Sequence, residues 1–209
     1  MKISRLQFKR LFTGIVLALV VAELLLVLVS WLVSATMGVG VRSLLSAEGV
    51  RWFAGGFVSM LAGQSLVWLL LLSMAGGCLW QSGILADLSV RTSIRNYRQR
   101  IALRTTVAFL VAYVGCVLLL TLTPHALLLS ATGSLFPSPF SRAIVPIVAF
   151  ALLSSSTIYG RLSGRFISLS DILASLSYGV SRAAPLFILY VLVVQLYNSL
   201  RFTLFLDIV

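Results

Sequence analysis

The residues of this chain that could do chemistry are few and widely spaced. Glu23 stands alone in the middle of a long apolar run, and Gln64 is the one amide of the next run. Ser154, Ser155 and Ser156 stand together, and Gln195 and Asn198 lie three apart, on one face of a helix. Proteolysis inside a bilayer needs a Ser–His pair, two aspartates or a metal triad. The single histidine, His125, falls in a loop, and the apolar runs after the first hold no acid. Cys78 and Cys116 sit inside apolar runs, without the spacing or aqueous flanks of a disulfide or metal site. The sequence therefore predicts no enzyme, no cofactor and no metal centre. For Glu23 three roles stay open. It is a proton site, the partner of a cation on another chain, or a neutral side chain hydrogen-bonded between helices.

The elements that must position these residues are membrane spans. The chain is 60% hydrophobic and 10% charged, and its mean hydropathy is +1.08. Soluble domains carry about 25% charged residues. The net charge of +11 would suggest nucleic acid in a soluble protein, but here the basic residues sit between apolar runs. Topology explains them, and no nucleic-acid partner is expected. The reading is an all-α polytopic protein of five spans, about 11–37, 53–79, 105–122, 142–159 and 184–206, forming one membrane domain. Lys2, Arg5, Lys9 and Arg10 precede the first run, which at 23 residues outlasts a signal-peptide core of about 7–15. An uncleaved first helix follows. Glu23 costs that helix roughly 3 kcal/mol on insertion. Fifteen Leu, Val, Ile or Phe residues between Leu11 and Leu32, at roughly −0.3 to −0.6 kcal/mol each, outweigh it.

Charge gives the orientation. Ala86–Thr105 carries Arg91, Arg95, Arg98, Arg100 and Arg104 against Asp87 alone. With the N-terminus inside, twelve basic residues fall on inner segments and four on outer ones, so the C-terminus lies outside. Ile94, Tyr97 and Ile101 fall on a face apart from Arg91, Arg95 and Arg98. The stretch is either an amphipathic helix on an anionic leaflet or an ordinary positive loop. Two stripes of small residues, Gly14/Ala18/Ala22 and Gly55/Ser59/Gly63, predict close helix contacts with each other or with another subunit. Gly76-Gly77 and Gly83 loosen the inner end of the second span, and Pro146 sits in the first turn of the fourth. Ser168 precedes Asp171 by three, a capping pattern opening a short interfacial helix through Val180. Pro185 then turns the chain into the fifth span.

Two blocks resemble the AbgT family, the p-aminobenzoyl-glutamate transporters. The first is LLSAEGVRWFAGGFVSMLAGQSLVWLLLLSMAGGCLWQSGILADL, Leu44 to Leu88. The second is GSLFPSPFSRAIVPIVAFALLSSSTIYGRLSG, Gly133 to Gly164, which continues to QLYNSLRFT. Their order matches that of the family, and they cover roughly half to two-thirds of the chain. Family members are much longer, with re-entrant hairpins and an Asn- and Asp-rich second half that holds substrate and ion. Nothing here matches that half, so the resemblance implies a short form that keeps scaffold and dimerisation helices. The expectation is a subunit or scaffold of a larger assembly in the bacterial inner membrane. Its partners would be lipids, copies of itself or other membrane subunits. The alternative is a proton- or sodium-coupled transporter of p-aminobenzoyl-glutamate-like or related small anionic solutes, active as an oligomer.

Overall fold

A computed structural model describes residues 2–37, 40–89, 97–122 and 139–204. They form seven α-helices and no strand. These are α1 (Lys2–Met37), α2 (Ala47–Leu61), α3 (Gln64–Ser82), α4 (Ile84–Ser89), α5 (Tyr97–Leu122), α6 (Pro139–Leu162) and α7 (Leu169–Thr203). Five are long and apolar enough to cross a membrane: Arg10–Thr36, Gln64–Ser82, Tyr97–Thr121, Phe140–Leu162 and Leu169–Thr203. The protein is thus a multi-pass helical membrane protein by length and composition. Among the described residues most large apolar side chains are exposed, while the largest fully buried side chains are Tyr159, Cys78 and serines. That inverts a water-soluble core, as expected where lipid is the solvent and small residues let helices approach.

The helix boundaries correct the sequence reading in several places. The second span is not one helix from 53 to 79. It breaks at Ala62–Gly63 into α2 and α3. The carbonyl of Leu61, at the end of α2, accepts a hydrogen bond from the Tyr190 hydroxyl at 3.0 Å. A Cβ at Gly63 would lie 3.3 Å from that same hydroxyl. The break is therefore satisfied by a side chain rather than left open. The interfacial helix expected after Ser168 and the fifth span are one continuous helix, with Pro185 inside it. Proline leaves one carbonyl without its donor and crowds the preceding turn, which membrane helices tolerate where neighbouring groups and local adjustment satisfy the backbone. α6 begins at Pro139, so Pro139 takes the first-turn position and Pro146 lies in the helix body. α5 starts at Tyr97, eight residues before the expected boundary. Arg91 and Arg95 lie outside the described residues, as does His125.

The chain divides into two compact units. Unit 1 comprises Met1–Leu66 and Pro185–Val209, and unit 2 comprises Val67–Ala184. In unit 1, Ser30 Oγ donates to Val27 O and accepts the Leu44 amide at 3.3 Å, tying the segment before α2 to α1. Ser46 caps α2 by accepting the Gly49 amide at 3.0 Å. The Arg42 amide donates to Thr203 O at 3.2 Å, and Trp52 stacks on Phe202 with centroids 4.5 Å apart.

In unit 2, α5 packs on α6. Tyr113 donates to Ile147 O at 3.1 Å, beside the Phe150 ring and near the buried Ala149. α3 crosses the first part of α7 at Gly77 and Gly179, both buried. A Cβ on Gly77 would come within 2.5 Å of Ser175 O, and one on Gly179 within 2.8 Å of Gly77 Cα. Gly77 therefore does not loosen a helix end. It is the point where two backbones touch. The Asp171 carboxylate accepts the Ser168 and Ile167 amides at 2.9 and 2.8 Å, so the Asp half of the expected cap is made.

Candidate functional site

Glu23 lies midway along the Arg10–Thr36 candidate span. Its Oε1 accepts from Ser199 Oγ at 2.7 Å, and Ser199 Oγ accepts from Gln195 Nε2 at 3.2 Å. Gln195 and Ser199 are four apart on α7, so one helical turn presents both to α1. The other two oxygens of this chain, Glu23 Oε2 and Gln195 Oε1, are buried and have no hydrogen-bond donor. Glu23 is in no ion pair among the described residues.

The other polar candidates separate. Asn198 turns to its own helix and donates to Val194 O at 2.8 Å. It shares a helical face with Gln195 but not a network. Gln64 is exposed at the first residue of α3, so it marks the end of a span and not its interior. Ser154 is half-buried in unit 2, while Ser155 and Ser156 donate to the helix carbonyls of Ala151 and Leu153. The small-residue stripes stay largely open within one chain. Gly14 and Gly55 have free space where a Cβ would stand, Ala18 and Ser59 are exposed, and Ala22 is half-buried. Only Gly63, beside Tyr190, is close to a neighbour. Arg98, Arg100 and Arg104 are exposed on α5.

Unit 2 holds a second polar centre that sequence reasoning missed. Asp87 is buried, accepts from the Tyr159 hydroxyl at 2.6 Å and meets Arg165 Nη2 at 3.3 Å. Local sequence builds it. Gly83 takes φ +71° and ends α3, so that Asp87 falls in the first turn of α4. Gly160 leaves room for the Phe166 ring, and Gly164, at φ +83°, closes the end of α6. That turn sends Arg165 back over Gly83, where a Cβ would lie 2.7 Å from its Nη2. The signal was available in Asp87 itself, the lone acid of the basic stretch.

In unit 1, an open groove of about 580 Å³ is lined by Arg42, Glu48, Arg51, Trp52, Met60, Asn198 and Phe202. Arg42 sits over the Phe202 ring and 3.7 Å from Glu48, an exposed pair worth little. Among the described residues no cluster of three or more His, Cys, Asp or Glu could hold a metal. Comparison with protein-family models, characterised proteins and solved structures gives no match.

Proposed function

We propose that this chain is a small integral membrane subunit, akin to the scaffold part of an AbgT-like transporter, that works inside a larger membrane assembly. The observation that carries the reading is the open small-residue face of α1 and α2, at Gly14, Ala18, Gly55 and Ser59. Small residues earn their place in a bilayer by letting another backbone approach. Among the described residues no such neighbour stands at Gly14 or Gly55. A second copy or another membrane subunit fits there. The resemblance of Leu44–Leu88 and Gly133–Gly164 to AbgT helices supports the same reading. The basic asymmetry favours the N-terminus on the inner face of a bacterial inner membrane. A cysteine at position 96 is then shielded from an impermeant label added outside.

The test is assembly size in mild detergent, by light scattering, together with what co-purifies. Wild-type protein is expected to run as an oligomer or with a membrane partner. Ala18→Leu and Ser59→Leu are expected to reduce that assembly. A monomeric wild type, or two variants of unchanged size, sinks the proposal. The hydrogen-bonded Glu23 favours one further reading, proton- or sodium-coupled transport of small anionic solutes by an oligomer. Uptake of p-aminobenzoyl-glutamate by purified wild-type protein in proteoliposomes would support it over the subunit reading.

A further inference from the structure

A carboxylate at membrane depth asks for either a counter-charge or a full set of donors. Half-buried Glu23 shows neither among the described residues. Ser199 supplies one hydrogen bond to Oε1, while Oε2 is buried without a donor. Three described arginines of unit 1 have contacts elsewhere. Arg42 lies by Glu48 and Phe202, Arg201 lies over Tyr197, and Arg51 lines the groove. Arg10 is thirteen residues away on the same helix, about 20 Å along its axis. From α7 come only the neutral groups Gln195 and Ser199. At the other end of the same chain of bonds, Gln195 Oε1 is also buried and lacks a donor. Two orphaned acceptors and one unneutralised carboxyl share one need.

We propose that Glu23, Ser199 and Gln195 form a proton-binding site, with the proton held on Glu23 Oε2. Loading forms one O–H bond on the carboxylate and breaks none in the protein, and the proton comes from water and returns to it. The proton removes the charge and at the same time converts Oε2 from acceptor to donor. Two other occupants are weaker. A hard cation gathers about six or more oxygens, and this chain offers three residues. A bridging water would give both oxygens a donor but leave the charge in place. The proposal does not depend on the subunit reading, since it concerns a single chain.

Infrared difference spectra test it on purified protein in lipid nanodiscs at neutral pH. Wild type minus Glu23→Gln is expected to show loss of one protonated-carboxyl C=O band, with the carboxylate bands unchanged. Ser199→Ala keeps the acid but removes the donor to Oε1, so the band is expected to persist at a shifted frequency. Loss of carboxylate bands in Glu23→Gln would mean an ionised Glu23 with bridging water, and overturns the proposal. A band that moves when sodium is added at fixed pH overturns it too, in favour of a metal cation. If Glu23→Gln does not fold, Ser199→Ala decides alone, and an unshifted spectrum is a refutation.

Discussion

Gly76 and Gly77 are neighbours in α3, yet alanine should stabilise the protein at the first position and not at the second. Both gain the same helix propensity, about 1 kcal/mol over glycine. At Gly76 nothing lies within 4 Å of the added methyl, so that gain stands. At Gly77 the methyl meets Ser175 O at 2.5 Å and also the backbone of Gly179, where ordinary contact begins at 3.4 Å. Neither obstacle can rotate away, because both are backbone. The crossing must open by about 1 Å, and overpacking of this kind costs about 1–3 kcal/mol, occasionally more. Since propensity is common to both variants, their difference isolates the crossing and should be about 1–3 kcal/mol. Equilibrium unfolding in mixed micelles, with SDS as denaturant, measures it. Gly76→Ala is expected to be more stable than wild type and Gly77→Ala no more stable, with the larger cost if the helices cannot separate. Equal shifts for the two would refute the close α3–α7 crossing.

The Asp87 centre should rest more on tyrosine than on arginine. Tyr159 is buried and its hydroxyl bonds a carboxylate at 2.6 Å, so Tyr159→Phe should cost about 1.5–3 kcal/mol. Arg165 is 40% exposed, and Arg165→Gln should cost at most about 1 kcal/mol in the same assay. The reverse order would show that the charge pair dominates. Ser46→Ala removes the α2 cap and should cost about 1 kcal/mol, with faster hydrogen exchange confined to the first turn of α2. Unchanged exchange at Gly49 would count against the cap.

The sequence made the spans legible because their signal is additive. Fifteen strongly apolar residues in α1 overwhelm one glutamate whatever the tertiary context. It could not show the break at Ala62–Gly63, since that depends on Tyr190, more than a hundred residues away, reaching the freed Leu61 carbonyl. Nor could it join α7, because Pro185 reads as a stop in sequence while a packed helix absorbs it. Glu23 was legible as a lone intramembrane acid. Ser199 was overlooked because serine is common in such helices and only its spacing from Gln195 marks it. Asp87 was hidden by company. Among five arginines a lone aspartate reads as a minor offset to a basic loop, and its burial depends on the turn at Gly164 aiming Arg165 back at it.

α3 has 19 residues and α7 has 35, about 28 Å and about 52 Å of helix. A hydrocarbon layer of about 30 Å fits the first and leaves much of the second outside it. The two helices touch at Gly77 and Gly179, so α3 shares the depth of the first half of α7, and the remaining length of α7 runs on beyond it. In a thicker membrane α7 has spare helix to submerge, while α3 has none and must draw the lipid inward. Short- and long-chain lipids should therefore strain this protein unequally, with α3 setting the thickness it prefers.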